Sequence, residues 1–213
     1  SYDRLLLATG SAAVRPTLPG SGLPQVVTLD NLADAERILT LARKAHSAVV
    51  VGGGITALEI VEGLHRRCRR VHYLLRGERY WSNVLDEVEG RIVLERLAAD
   101  GVQIHPRSEL AAIEEKHGRV AAVLTTSGQR IPCDLVAVAI GVAPRAELAR
   151  AAGLQVDRGI LVDEFLRSSA PDVYAAGDVA QVYDPRVGKA LLDNLWNSAR
   201  SHGAVAGQNM AGS

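Results

Sequence analysis

The hydrophobic pattern changes period along the chain, and each change marks an element. Leu5, Leu6 and Leu7, within Arg4–Ala8, form a short apolar run that leads into Thr9-Gly10-Ser11 and reads as a buried strand. A stretch carrying Pro16, Pro19, Gly20, Gly22 and Pro24 follows, the composition of a connection between domains. Asp30 is the expected N-cap of a helix with Leu32, Ala35, Ile38, Leu39 and Ala42 at helical spacing. Ala48-Val49-Val50-Val51 is continuously apolar, as a parallel strand buried on both faces should be. Gly52-Gly53-Gly54 breaks that run. A helix expected from about Ile55 to His65 then puts Ala57, Leu58, Val61 and Leu64 on one face. A second strand over Val71–Leu75 completes a strand–helix–strand unit of roughly 30 residues. A helix over Asp86–Ala99 and a strand over Val102–His105 come next.

From Glu109 the period falls to two. Leu110–Glu115, Arg119–Thr125 and Arg130–Cys133 read as short strands separated by His117-Gly118 and Ser127-Gly128, an antiparallel meander. Leu135–Ile140 is another buried strand, ending in Gly141. Val173–Ala176 runs into Gly177-Asp178, and a last helix is expected from about Leu191 to Met210. Helices alternating with apolar strands make the fold class α/β.

Composition narrows the function. The 213 residues are 47% hydrophobic, enough for a sizeable core. Lys+Arg and Asp+Glu both number 24, so no basic excess points to nucleic acid or to an anionic membrane. No apolar stretch approaches the ~20 residues that span a bilayer, and the start lacks the order of a signal peptide. A cytoplasmic address is the expectation. Cys68 and Cys133 have no Cys-x-x-Cys spacing and read as reduced, buried thiols; a redox pair would need the fold to join them. The six histidines form no ligand-spaced cluster, so no metal site is expected.

The chemistry sits in one short segment. Gly52-Gly53-Gly54-Ile55-Thr56-Ala57 fits G-x-G-x-x-A between a strand and a helix. The first glycine permits the tight turn, and the second lets backbone approach a pyrophosphate. The small third residue lets helix and strand pack, and phosphate then meets free N–H groups at the helix N-terminus. An NAD site usually has Asp or Glu at the end of the second strand, for the ribose 2′-hydroxyl. That position falls on Leu75, and Arg76 follows it. A guanidinium suits a 2′-phosphate, so the nucleotide reads as NADP rather than NAD, with Glu78 near enough to keep NAD as the alternative. Gly177-Asp178 after an apolar strand is either an acid for a chain of sugar-like hydroxyls or a plain strand-to-turn pair. There is no G-x-S-x-G, no Tyr-x-x-x-Lys and no G-K-[ST], which argues against a hydrolase, a stand-alone dehydrogenase and a P-loop enzyme.

Four segments, in order, resemble the pyridine nucleotide-disulfide oxidoreductase superfamily. They are Leu6-Leu7-Ala8-Thr9-Gly10-Ser11, Val49 to Glu59, Ala139 to Pro144 with Gly141, and Val173 to Asp178. The flavoprotein reductases of the nitrite-reductase, rubredoxin-reductase and ferredoxin-reductase branches look closest. The resemblance implies a Rossmann-like NAD(P)-binding domain over 25–135, with the meander as its crossover. That domain would be inserted in a partial FAD-binding domain formed by 1–24 and 136–213. It implies hydride transfer from nicotinamide to FAD and on to an acceptor, protein or small molecule. Thr9, Gly10, Gly177 and Asp178 would lie against FAD, with Asp178 on the ribityl chain. The start of the last helix, near Leu191 to Asn194, would face the flavin. Glu59 is carried as a site residue because the family has a glutamate there.

The family's first FAD fingerprint does not occur in this sequence. The chain therefore reads as a fragment that binds NAD(P) but holds FAD weakly or not at all. A stand-alone NAD(P)-binding module, or one part of a split enzyme, is the alternative, and homodimer formation stays open. Trp81 and Trp196 read as core or interface residues rather than a ring pocket.

Overall fold

The computed structural model describes residues 2–212, which divide into two compact units. One is the continuous stretch Ala13–Gly141; the other joins residues 2–12 to residues 142–212. In chain order, β1 is Leu5–Leu7, β2 Ser11–Ala13, β3 Val26–Val27, α1 Leu32–Ala42, β4 Ser47–Val51 and α2 Ile55–His65. Then come β5 (Arg70–Leu74), α3 (Glu87–Ala99), β6 (Gln103–His105) and the meander β7 (Leu110–Lys116), β8 (Arg119–Thr125) and β9 (Arg130–Pro132). The rest is β10 (Leu135–Val138), β11 (Val142–Pro144), α4 (Glu147–Ala151), β12 (Ile160–Val162), β13 (Val173–Ala175), β14 (Ala180–Asp184), β15 (Lys189–Leu192) and α5 (Trp196–Ala211).

The Ala13–Gly141 unit is built on a parallel five-stranded sheet in the order β3-β10-β4-β5-β6. Its central strands β4 and β10 are almost wholly apolar because both faces are covered. Ala48, Val50, Val71, Tyr73, Leu135 and Ala137 join one core cluster with Ile38, Val61, Leu64 and Leu97 of the helices. The alternate residues Val49, Val51, Leu74, Val136 and Val138 join a second cluster with Ile113, Val120, Val123 and Ile131 of the meander. Each Val, Leu or Ile among them, fully buried, contributes about 1.5–3 kcal/mol. The unit also ties its own ends together, since the Val14 N–H donates to the Gly141 carbonyl at 3.0 Å.

Cys68 lies in the helix-side cluster and Cys133 in the meander-side cluster. Both are free and buried, and the sheet separates them, so they are not a redox pair.

The other unit has its own core of Leu7, Ala149, Ile160, Val162, Leu166, Ala175, Val179 and Ala206. β1 pairs in parallel with β13, Leu6 opposite Tyr174. A separate sheet runs β12-β14-β15.

Four expectations change. The sheet strand expected to reach Ile140 stops at Val138 and pairs with β3 and β4, so a boundary at 135/136 would cut a strand in two. The compact inserted unit is wider than 25–135 at both ends. The cap of α1 is Asn31, which accepts from the Asp34 N–H at 3.0 Å; Asp30 instead accepts from the Ala13 N–H at 3.2 Å. The last helix starts at Trp196, because Leu191 and Leu192 belong to β15, paired antiparallel with β14. Asp193 then turns the chain by accepting from the Leu195 N–H at 3.1 Å.

Candidate functional site

The glycine turn follows directly from the last residue of β4. The Gly52 N–H donates to the Leu74 carbonyl at 3.2 Å, which ties the turn to the end of β5. Gly52 has φ +148°, and a Cβ there would be driven into the Ala139 carbonyl oxygen and would come within 3.1 Å of the Ala57 methyl. No larger residue fits at the first position, and Ala57, fully buried, is the small residue that lets α2 pack down on the turn. Gly54 is the N-cap of α2 and has no side-chain cap. A Cβ on Gly54 would meet nothing within 4 Å, and one on Gly53 would meet only the tip of Leu75, at 3.9 Å. The turn is thus closed on its inner side and open on its outer side, above the uncapped N–H groups of the first helical turn. Ile55 is exposed and Thr56 half-buried at the rim. This cradle fits a pyrophosphate.

A loop is tied to the turn through its backbone. The Trp81 N–H donates to the Gly53 carbonyl at 2.8 Å, and Trp81 takes φ +46°, a left-handed conformation that bulky residues rarely adopt. Its ring packs on the helix-side cluster beside Tyr80, with ring centroids 6.2 Å apart. Burial raises the Tyr80 hydroxyl pKa, and the nearby carboxylates of Glu59 and Glu62 raise it further, so the phenol stays neutral. That places Glu59, exposed on α2, near Tyr80 of this loop. Trp196 is different: 74% exposed, with the Arg200 guanidinium 5.8 Å from its ring.

At the end of β5, Leu75 is fully buried in the helix-side cluster, so no carboxylate stands at that position. Arg76 is exposed beside it. Gly141, at the far end of the unit, has φ +121° with nothing near a would-be Cβ, so its backbone angle rather than crowding calls for glycine.

The remaining candidates lie in the other unit. Gly10 and Gly177 are in the left-handed region, φ +69° and +74°. Asp178 is the middle residue of a single 3-10 turn, Gly177–Val179, after β13 and accepts from the Ser11 hydroxyl at 2.6 Å. The Thr9 hydroxyl donates to the Arg145 carbonyl at 2.7 Å. β1 and β13 are adjacent, so Thr9, Gly10, Gly177 and Asp178 gather at their carboxyl ends. The expected helix start near Leu191–Asn194 is strand and turn instead, and residues from Trp196 onward supply the helix.

Sequence reasoning passed over three residues of this geometry. They are Ser11, the partner of Asp178; Trp81, as the backbone anchor on Gly53; and Arg107, which contacts the segment after β5. None carries a local signal, since each meets its partner through a loop or a strand pairing.

Among the described residues no helix is long and apolar enough to cross a membrane.

The model of the family described as pyridine nucleotide-disulphide oxidoreductase matches residues 1–203. The chain is 38% identical over 198 residues to the ferredoxin–NAD(+) reductase component of the biphenyl dioxygenase system of Paraburkholderia xenovorans, covering 93% of this chain and 48% of that protein. It is 31% identical over 212 residues to rubredoxin-NAD(+) reductase of Ectopseudomonas oleovorans, covering 100% and 55%. A solved ferredoxin reductase from Rhodopseudomonas palustris superposes with a TM-score of 0.96 at 28% identity, covering 100% of this chain and 52% of that one. The chain spans about half the length of these relatives.

Proposed function

As this chain belongs to the pyridine nucleotide-disulphide oxidoreductase family, we propose that it holds a nicotinamide dinucleotide over Gly52–Ala57 and contributes to the flavin site of an NAD(P)H oxidoreductase. The observation that carries this reading is the glycine turn. It is sealed against Ala139 and Ala57 on the inside and open above the uncapped start of α2. A turn that only packed a helix would not need its second and third glycines bare of neighbours. The Ala13–Gly141 unit is then the nucleotide domain, and the other unit carries Thr9, Gly10, Gly177 and Asp178 for FAD. Asp178 offers the carboxylate oxygen not held by Ser11 to the ribityl hydroxyls. When bound, FAD accepts hydride from the nicotinamide and hands electrons on singly or in pairs. The chain's own part is to position the two rings, and hydride transfer needs no protein nucleophile.

The two relatives above are named for NAD(+), ferredoxin and rubredoxin. A small electron-transfer protein of that kind is the acceptor class this reading assigns. For the nucleotide, the buried Leu75 removes the carboxylate that would hold a 2′-hydroxyl, and Arg76 favours the 2′-phosphate of NADPH.

Calorimetric titration of the chain with NADPH and NADH in parallel tests the reading. Tighter NADPH binding, lost in Arg76→Glu, supports both site and nucleotide. Tighter NADH binding keeps the site and overturns the choice of nucleotide. If neither binds, the glycine turn is structural only.

A further inference from the structure

The segment after β5 does not stand alone. Three backbone hydrogen bonds lash it to the segment after β6: Leu75 N–H to the His105 carbonyl at 3.0 Å, Arg107 N–H to the Gly77 carbonyl at 3.0 Å, and Ser108 N–H to the Leu75 carbonyl at 2.8 Å. Arg107 takes φ +51°, a conformation uncommon for a residue with a side chain. So held, its Nη1 lies 3.2 Å from Oε1 of Glu78, with both side chains largely exposed. Arg76 and Arg79 flank the same short stretch. The exposed Arg76 thus lies in the same stretch that Arg107 meets through Glu78.

We infer that Arg107, with Arg76, recognises the 2′-phosphate of NADPH, and that Glu78 is an internal anion which the phosphate displaces from Arg107. The inference rests on the nucleotide site proposed above. With pyrophosphate on the glycine turn, the adenosine ribose lies over the end of the second strand, here β5. β6 is the next strand outward in the sheet, so its loop borders the ribose on the side away from the turn. Arg107 stands on that border, and register rather than sequence puts it there. A phosphate dianion offers a guanidinium more charge and more acceptor oxygens than a carboxylate does. The Glu78–Arg107 pair, 65% and 76% exposed, is a weak surface ion pair, easily exchanged for a stronger anion. Until it is exchanged, Glu78 opposes the phosphate. The pair is therefore a specificity device: Arg107 attracts the 2′-phosphate, and Glu78 limits how tightly it is held.

The test is calorimetry of the full chain with NADPH and with NADH, using Arg107→Gln and Glu78→Gln. Both positions are exposed, and circular dichroism confirms that each variant keeps its fold. Arg107→Gln is expected to weaken NADPH about tenfold and NADH less than about twofold, the loss of one charge-assisted phosphate contact. Glu78→Gln is expected to tighten NADPH several-fold and leave NADH unchanged. If Arg107→Gln changes neither nucleotide, or both equally, the assignment is overturned while the nucleotide site stands. If Glu78→Gln selectively weakens NADH, Glu78 holds the ribose 2′-hydroxyl and the counter-anion role is overturned. If the unaltered chain binds neither nucleotide, the site itself falls and the assignment with it.

Discussion

The backbone N–H of Trp81 donates to the carbonyl oxygen of Gly53 at 2.8 Å, so a left-handed tryptophan is pinned to the middle glycine of the turn. In a Trp196→Phe background Trp81 is the sole tryptophan, because the chain has two. Its emission overlaps the absorption of reduced nicotinamide. Adding NADPH or NADH should therefore quench Trp81 and sensitise nicotinamide fluorescence. Quenching without sensitised emission, at saturating nucleotide, would place the nicotinamide far from Trp81.

Gly52 and Gly54 should behave oppositely on substitution. At Gly52 an added methyl meets the Ala139 carbonyl and Ala57 with no flexible neighbour to yield. Gly52→Ala is expected to cost about 3 kcal/mol or more, lowering Tm by roughly 6–12 °C. Gly54→Ala meets nothing within 4 Å and should leave Tm nearly unchanged while weakening nucleotide binding. Thermal melts and titration of the two variants side by side read both effects, and equal melting points would contradict the packing at Gly52.

Those positions were legible in the sequence because everything they need is contiguous. Strand, turn and helix follow one another from Ser47 to His65, and Ala57 is one helical turn away from the glycines. The meander was legible for the same reason, as hairpins announce their turns. What stayed hidden depends on distant pairing. β12, β14 and β15 are three to five residues long, too short for alternation to show, and β12 finds β14 through a parallel pairing. Leu191, Leu192 and Leu195 imitate a helical stripe although the first two lie in a strand. Arg107 sits in an unmarked loop and reaches Glu78 only through the β5–β6 register. Ser11 and Asp178 meet only because β1 lies beside β13.

His72 and His105 on β5 and β6 share a hydrogen bond, Nδ1 to Nε2 at 3.1 Å, which requires at least one neutral ring. Burial lowers the His72 pKa below its ordinary 6.5, and His105 and Arg70 lower it further. Burial lowers that of His105 too, offset in part by a hydrogen bond with Gln129. A folded pKa below the unfolded one means that the unfolded chain takes up protons first as pH falls. The stability from these groups is complete above about pH 6.5 and is lost progressively as pH drops from there through the folded pKa values. Tm should therefore fall between about pH 7 and pH 5, and fall less steeply in His72→Gln. An unchanged slope in that variant would remove the pair from the account.

The thiols should be inert. Burial pushes the Cys133 thiol up to about 12, and burial together with Asp134 raises Cys68. Neither supplies thiolate near neutral pH. Alkylation by iodoacetamide should be negligible in the folded chain and complete in denaturant, and mild oxidants should form no intramolecular disulfide. Modification of either cysteine without loss of structure would show that the sheet cores open more readily than their packing implies.

The hydrogen bond between Val14 and Gly141, which fastens the ends of the inserted unit, bears on the order in which the molecule assembles. β1 and β13 come from opposite ends of the chain, and pairing them in an open chain requires closing a very long loop. Once residues 13–141 have folded as one uninterrupted stretch, they act as a short clasp rather than as a long tether. Leu5–Leu7 then searches for Val173–Ala175 across only the residues outside the clasp, each halving of the loop saving about 0.6 kcal/mol. Damage to the inserted core should for that reason appear as slow pairing of Leu5–Leu7 with Val173–Ala175.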